Sequence, residues 1–166
     1  MDCKVHRLVA DVAVIAGGRV LLVRYRDTAR YDGQRGWFLP DDFLAYAEHP
    51  TDAARRILVE QVGVMADPFL ARVESFGNGA WHLVFHHVAR LDDEAELSPG
   101  PNTLAAEWFG LNALPQASEV ASSSIGLECF VAKSNSIASV VMDHRPPTAR
   151  CSRRGGGTGA ECNRAP

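Results

Sequence analysis

The chain has few of the features that would set it apart from ordinary globular proteins. Its four cysteines form no CxxC pair, so neither a disulfide framework nor a zinc site is expected. No apolar run approaches the roughly 20 residues that cross a bilayer. The first residues also lack the basic and apolar segments of a secretory signal. We therefore expect a cytoplasmic protein with no membrane partner.

Basic residues are too few, and too unevenly placed, for a nucleic-acid surface. Residues 1–143 carry 12 Lys and Arg against 19 Asp and Glu, whereas residues 144–166 carry 5 Arg against one Glu. Because binding to nucleic acid requires a basic face, the acidic body argues against such a partner. The length and the 46% hydrophobic content predict a single domain over residues 1–143. The tail, 144–166, has almost no large apolar side chains, which predicts disorder.

Hydrophobic periodicity predicts several strands and one clear helix. Thr51 is a suitable N-cap and Gly63 a suitable C-terminal stop, which together predict a helix of about three turns. A second helix is expected over residues 125–142. Apolar and β-branched runs predict strands over residues 6–15, 19–25, 37–40, 69–76, 81–91 and 106–111.

Residues 37–64 read WFLPDDFLAYAEHPTDAARRILVEQVGV and contain a spaced motif. They resemble the signature of the Nudix hydrolase family, G-x5-E-x7-R-E-U-x-E-E-x-G-U, in which U is a bulky apolar residue. With the last glycine of the signature on Gly63, its conserved positions fall without insertion on Glu48, Arg56 and Glu60. The flanking strands extend the resemblance over roughly residues 6–115. It implies an α/β fold, the Nudix-type α/β/α sandwich with a mixed β-sheet.

The resemblance also shows which chemical groups are missing. In Nudix enzymes three glutamates on one helix face gather magnesium against a diphosphate, and one is a candidate base for the attacking water. The matching positions here hold Ile57, Glu60 and Gln61, which share a face at i, i+3 and i+4. A single carboxylate therefore remains. The first glycine of the signature is replaced by Asp42, which follows Asp41. The two aspartates are either replacement carboxylates or solvated turn residues, and we favour the turn.

The resemblance assigns candidate roles to individual residues. The catalytic candidates are Glu60 and Asp42, and the metal ligands for Mg²⁺ (or Mn²⁺), if the protein is active, are Glu60, Asp41 and Asp42. Structural roles fall to Glu48, Arg56 and Gly63. Residues expected to contact substrate are Trp37, Tyr25, Trp81 and Glu107.

Two further groups of polar residues have weaker claims to a function. Strand alternation places His82 and His86 on one face and His87 on the other, and we favour partly buried strand residues over metal ligands. The loop after them is acidic and offers one extra ligand or base at most, so we favour a solvated loop; its acids are Asp92, Asp93, Glu94 and Glu96.

The sequence leaves the function open between classes. The first is a Nudix hydrolase-like protein that acts on or binds a nucleoside diphosphate linked to another moiety, with magnesium-dependent pyrophosphate hydrolysis weakened or altered by the degenerate box. The alternative is a non-catalytic nucleotide-sensing or protein-interaction domain. A decayed gene product with no selected activity is the third. A homodimer is a further expectation, because members of the family often dimerise.

Overall fold

The computed structural model describes residues 6–78 and 80–121, which form one sheet and one α-helix. The helix α1 spans Pro50–Val62. The strands are β1 His6–Ala16, β2 Arg19–Tyr25, β3 Asp41–Phe43, β4 Phe69–Asn78, β5 Ala80–Leu91 and β6 Thr103–Gly110. The helix predicted over 125–142, the tail from 144 and all four cysteines lie outside the described residues. No helix within the described ranges is long and apolar enough to cross a bilayer.

The strands form a mixed sheet, as predicted, and their order is β4-β5-β1-β2-β6. β1 runs parallel to β5 and antiparallel to β2, with which it pairs only at Ile15 and Ala16. The two strands then diverge, and residues 37–43 fill the gap between them. Phe38 bridges to Val23 of β2, and β3 pairs with β1.

The predicted strand over 37–40 is wrong in its position. Trp37 and Phe38 make only isolated bridges, and the regular strand begins at Asp41. Pro40 has no N–H to give to a ladder, so pairing resumes only after it. The preference for Asp41 and Asp42 as solvated turn residues is also wrong, because both lie in β3 and are partly buried.

Helix α1 begins two residues earlier than Thr51 predicts. His49 is the N-cap, and its Nδ1 accepts a hydrogen bond of 3.2 Å from the Thr51 backbone N–H. Pro50 suits the first helical position, where its fixed φ is helical and its missing N–H is not needed. Gly63 ends the helix as predicted, with a left-handed φ of 70°.

The core lies on both faces of the sheet. Because side chains alternate along a strand, Val12 and Val14 of β1 face α1, where they pack in one cluster with Leu58 and Val62. On the opposite face a second cluster is built from Ala13, Ile15, Leu22, Trp37, Leu39 and Val88. The helix therefore packs on the centre of the sheet, and in its C-terminal half Val59 and Glu60 remain exposed while Gln61 is partly buried.

Candidate functional site

Arg56 on α1 is the centre of an ion-pair network that we call the brace, made of Arg56, Glu48, Asp42 and Glu60. The guanidinium donates to both Glu48 carboxylate oxygens at 2.8 Å. It also donates to the Phe43 carbonyl oxygen at 3.1 Å. The hydrogen bonds from Arg56 hold the pKa of Glu48 below its ordinary value. The brace therefore ties the loop after β3 to the helix.

The other two acids of the brace are also compensated by arginines. Arg56 Nη1 lies 3.3 Å from Glu60 Oε2 and 3.6 Å from Asp42 Oδ2. Arg30 Nη2 approaches Asp42 Oδ1 at 2.7 Å. The Asp42 side chain is 13% exposed, whereas that of Glu60 is 60% exposed. Both predicted catalytic acids thus serve as partners of guanidinium groups.

A second network, which we call the lock, joins Tyr25, Asp41 and Gln61. The Gln61 side-chain amide donates to the Asp41 carbonyl oxygen at 2.8 Å, and its oxygen accepts from the Tyr25 hydroxyl at 2.8 Å. The Asp41 N–H donates to the Tyr25 oxygen at 3.0 Å, and that hydroxyl also lies 2.9 Å from Asp41 Oδ1. Since a carbonyl can only accept, the NH₂ of Gln61 must face Asp41.

The uncharged forms of Asp41 and Tyr25 are favoured in the lock. Burial raises the pKa of the Asp41 carboxyl well above its usual range, and the charges of Asp11 and Asp42 add to that effect. The Tyr25 hydrogen bond and Arg30 act in the opposite direction without overcoming it. Burial also raises the pKa of Tyr25, followed by the Asp41 charge. The ring that joins Gln61, Tyr25 and the Asp41 backbone consists of an amide, a hydroxyl and backbone groups, so its links are neutral, unlike those of the brace.

A cleft opens beside β1 and β3. It adjoins the second core cluster, since Leu39 belongs to that cluster and also lines the cleft. Two arginines stand in its wall: Arg7 pairs with Asp32, and Arg30 pairs with Asp42. The other polar and aromatic residues that line it are Asp11, Tyr31, Gln34, Asp41, Phe43, Phe76 and His82. The cleft brings cations, carboxylates and aromatic rings to one place.

Behind the cleft, His86 connects carboxylates of two strands. Its Nδ1 lies 2.8 Å from Asp11 Oδ2, and its Nε2 lies 3.1 Å from Glu74 Oε2. Burial lowers the pKa of His86, but the hydrogen bond and charge of Asp11 outweigh burial, so the net shift is upward. Sequence reasoning missed Asp11, although one aspartate inside an apolar strand (VADVAVI) is a usable signal for a paired buried charge.

The other two histidines of β5, His82 and His87, differ in their surroundings. His82 lines the cleft and stacks on Phe76, with ring centroids 4.9 Å apart and planes inclined by 5°. His87 is fully buried, and burial lowers its pKa. In each ring Nε2 is buried and has no hydrogen-bond partner within the part of the chain that the structure describes.

A family model for the NUDIX domain matches residues 5–126. The chain belongs to the Nudix family. Solved structures agree on the fold, the Nudix α/β/α sandwich. A MutT/nudix family protein from Enterococcus faecalis is 16% identical with a TM-score of 0.68, over 84% of this chain and 64% of that one. A MutT NUDIX hydrolase from Burkholderia pseudomallei is 23% identical with a TM-score of 0.61, over 74% and 96%.

A third similar structure contains bound ligands. It is a bifunctional NMN adenylyltransferase/ADP ribose pyrophosphatase from Francisella tularensis, complexed with AMP and a manganese ion. It is 15% identical with a TM-score of 0.61, and the match covers 81% of this chain and 43% of that one. No curated protein matches the chain. Nudix proteins use a divalent metal and nucleotide-type substrates, which raises the question of whether this site fits a metal.

The Nudix helix face of this chain does not fit a magnesium ion in the family manner. Magnesium requires oxygen ligands, usually with carboxylate charge. Ile57 offers no oxygen and is fully buried with Ala10 and Ala53. Gln61 turns an N–H toward the Asp41 carbonyl oxygen, and Glu60 turns to Arg56. Among residues 6–78 and 80–121, no three His, Cys, Asp or Glu side chains gather as a metal site.

The residues predicted to contact substrate are not brought together. Tyr25 belongs to the lock, and Trp37 packs on Phe109 in the second cluster. Trp81 lies on β5 and Glu107 on β6, at separate places in the sheet. None of the four lines the cleft. Their roles in binding stay predictions, as do the metal and catalytic roles of Glu60, Asp41 and Asp42. In the acidic loop, Glu94 pairs with Arg19 at 3.1 Å.

Proposed function

We propose that this Nudix protein binds a nucleoside diphosphate linked to another group, and that its pyrophosphate hydrolysis is lost or strongly weakened. The observation that carries the proposal is the helix face at Ile57, Glu60 and Gln61, which offers one carboxylate, itself paired with Arg56. Loss of a general base typically lowers a rate by roughly 10² to 10⁴. Loss of metal charge removes the polarisation of the phosphate as well.

The cleft supports the binding half of the proposal. Arg7 and Arg30 line it, and a guanidinium fork matches the oxygens of a phosphate. Each arginine would exchange an aspartate partner for the ligand. The stacked pair of Phe76 and His82 supplies a flat wall of the kind on which a nucleobase packs. A nucleotide is the ligand class that combines both features.

The shape of the cleft suggests how such a ligand would lie. The cleft has a cavity volume of about 60 Å³, which is room for a small group only. An open depression of about 650 Å³ adjoins it, since Arg7, Arg30 and Phe43 line both. We propose that the larger part of the ligand occupies the depression and a small group occupies the cleft, with Arg7 and Arg30 at the boundary between them.

An altered hydrolase is the second candidate. In it, Mg²⁺ or Mn²⁺ is held by Glu60 with Asp41 and Asp42, and Asp42 takes the catalytic role. One observation favours it: Asp11 and Asp41 are opposite each other in the β1–β3 ladder, and Asp42 follows, so three carboxylates line one cleft. The raised pKa of Asp41 and the arginine partner of Asp42 weigh against it.

A ligand panel separates the two candidates. The protein would be incubated with ADP-ribose, nucleotide sugars, dinucleoside polyphosphates and nucleoside triphosphates, each with Mg²⁺ or Mn²⁺, while products and melting temperature are measured. We expect a rise in melting temperature for at least one ligand and no turnover. Arg30→Met should reduce that rise, whereas Arg55→Met, an exposed arginine of α1, should not.

Two outcomes would contradict the proposal. Turnover that Glu60→Gln or Asp42→Asn abolishes would establish the altered hydrolase. The absence of both turnover and a ligand-induced shift across the panel would remove the nucleotide-binding role.

A further inference from the structure

We infer that the lock of Tyr25, Asp41 and Gln61 takes the place of the divalent metal at this Nudix site, so that the box loop is held against α1 without a metal. The inference deepens the proposed function, because it explains how the site keeps its shape once hydrolysis is lost. It rests on the contacts of three buried or partly buried residues, on their charge, and on the way the fold fixes each of them.

The contacts of Gln61 join α1 to the box loop without a metal. Its side-chain amide donates to the Asp41 carbonyl oxygen at 2.8 Å. The amide oxygen of Gln61 accepts from the Tyr25 hydroxyl at 2.8 Å, and the Tyr25 oxygen accepts in turn from the Asp41 backbone N–H at 3.0 Å. The loop and the helix are therefore joined by a closed ring of hydrogen bonds.

The charge at position 61 decides between the lock and a metal. A carboxylate there would face the Asp41 carbonyl with an oxygen, and two acceptors close together repel unless a cation lies between them. The amide replaces one of those oxygens with a donor, so no cation is needed. Burial acts in the same direction, because a buried carboxylate without a partner is costly. With glutamine in place of the signature glutamate, position 61 thus still contacts the box loop, but through a hydrogen bond to the Asp41 carbonyl oxygen rather than through a metal.

Each member of the lock is fixed from outside the lock. The Gln61 carbonyl accepts from the Gly100 N–H and the Thr103 hydroxyl, both at 2.9 Å. Tyr25 ends β2 and stacks on Tyr31, with ring centroids 4.1 Å apart. Asp41 pairs with Asp11 in the β1–β3 ladder. Because these anchors hold all three residues in place, the lock costs little additional ordering when it forms.

Metal-dependent stability tests the inference in the full-length protein. We expect the wild type to melt at the same temperature in chelator, in excess Mg²⁺ and in excess Mn²⁺, and to bind no Mn²⁺ by electron paramagnetic resonance. Gln61→Glu should melt at a lower temperature in chelator, because its carboxylate faces the Asp41 carbonyl. It should recover stability with Mn²⁺ and reduce the signal of free Mn²⁺.

A tyrosine pair provides the matched control. Tyr25→Phe removes the hydroxyl at the centre of the lock and should lower the melting temperature equally with and without metal. Tyr31→Phe removes a neighbouring hydroxyl that interacts with Tyr25 and donates to the Asp41 carbonyl oxygen only at 3.4 Å, and should change the melting temperature less. If Gln61→Glu cannot be obtained folded, the tyrosine pair and the wild type decide the question.

Three results would overturn the lock. They are Mn²⁺ binding or metal-dependent melting of the wild type, equal effects of Tyr25→Phe and Tyr31→Phe, and a Gln61→Glu protein that is destabilised without gaining Mn²⁺ affinity. Metal-independent turnover by the wild type would contradict the proposed function and leave the lock intact. A metal-dependent melting temperature overturns the lock whether or not any substrate is cleaved.

Discussion

The brace and the lock join the same loop to the same helix by different chemistry. In the brace the links are ionic, and its central Arg56 side chain remains 27% exposed. The links of the lock are neutral, and Tyr25 is only 5% exposed. An arginine fork compensates the Glu48 carboxylate of the brace, whereas the side chain of Gln61 contacts the uncharged Tyr25 hydroxyl and the Asp41 carbonyl oxygen. Carboxylates are present at positions 48 and 60, where Arg56 balances them, and an uncharged amide is present at position 61, where a carboxylate would require a metal.

This difference separates shape from catalysis within one motif. Three brace residues match the Nudix signature, namely Glu48, Arg56 and Glu60. Of these, Glu48 and Arg56 form a bidentate pair that positions the loop. The positions that would supply base and metal charge hold Ile57 and Gln61, one in the core and one in the lock. A Nudix box can therefore keep its geometry while its reactive groups change. The following substitutions test whether the two halves are as independent as the contacts suggest.

The largest loss is expected from breaking the brace at its centre. Arg56→Ala removes the guanidinium that donates to Glu48 and to the Phe43 carbonyl, and one of the two arginine partners of Asp42. It should lower the free energy of unfolding by roughly 3 kcal/mol. Arg55→Ala is the matched control, because Arg55 is 47% exposed and pairs with exposed acids. It should change stability by less than about 1 kcal/mol. Equal losses in urea denaturation would show that the brace is no stronger than a surface pair.

A smaller loss is expected from disturbing the anchor of the lock. A methyl group on Gly100 would collide with the Glu60 carbonyl oxygen at the end of α1. Gly100→Ala should therefore displace the backbone that carries Gln61 and lower stability by about 2 kcal/mol. Gly77→Ala is the control, since no atom lies within 4 Å of its added methyl. If both variants unfold at the same urea concentration, the close approach at Gly100 has no energetic weight.

The smallest effects, and the sharpest contrast, come from pH. The pKa of Glu48 is lowered on folding, so its contribution is present above its ordinary pKa of 4.5 and is lost as pH falls through the lower folded value. The pKa of Asp41 is raised on folding, so its contribution is complete below its ordinary 3.8 and is lost as pH rises through the folded value. The brace therefore favours neutral pH and the lock favours acid.

Two amide substitutions measure that contrast in unfolding experiments across pH. Glu48→Gln should lose about 1 kcal/mol at neutral pH and little in acid. Asp41→Asn should instead gain stability at neutral pH, because an amide carries no charge to bury, and the gain should vanish in acid. Parallel pH profiles for the two variants would contradict the opposite pKa shifts.

Much of the fold was predictable because it depends on local patterns. Apolar and β-branched runs predict the strands, and the resemblance to the Nudix family implies that they form a mixed sheet. Gly63 predicts the helix end through its left-handed backbone. The helix start was predicted wrongly, since Thr51 and His49 can both cap and only the position of Pro50 decides. The place of Asp41 and Asp42 in β3 could not be predicted, because it depends on the divergence of β1 from β2.

The candidate site was only partly accessible from the sequence for a related reason. The spacing of the signature brings Glu48, Arg56 and Glu60 within reach of one another on a loop and a helix. His86 and its two partners, Asp11 and Glu74, lie on three different strands. Asp11 is 75 residues from His86 in the chain, and Glu74 is 12 residues from it. No local pattern predicts such contacts. The lock is of the same kind, since Tyr25 comes from β2.

The Nudix family and the loss of two carboxylates from the helix face can be recognised without a structure, because both follow from residue identity at a fixed spacing, and the resemblance to the family implies the mixed sheet. What stands in place of those carboxylates depends on contacts that form only in the folded chain. Ile57 lies in the core, and Gln61 reaches the Asp41 carbonyl with Tyr25 beside it. Whether a glutamine is a missing ligand or a working hydrogen-bond donor depends on which atom stands opposite it, and that atom is supplied by a distant strand.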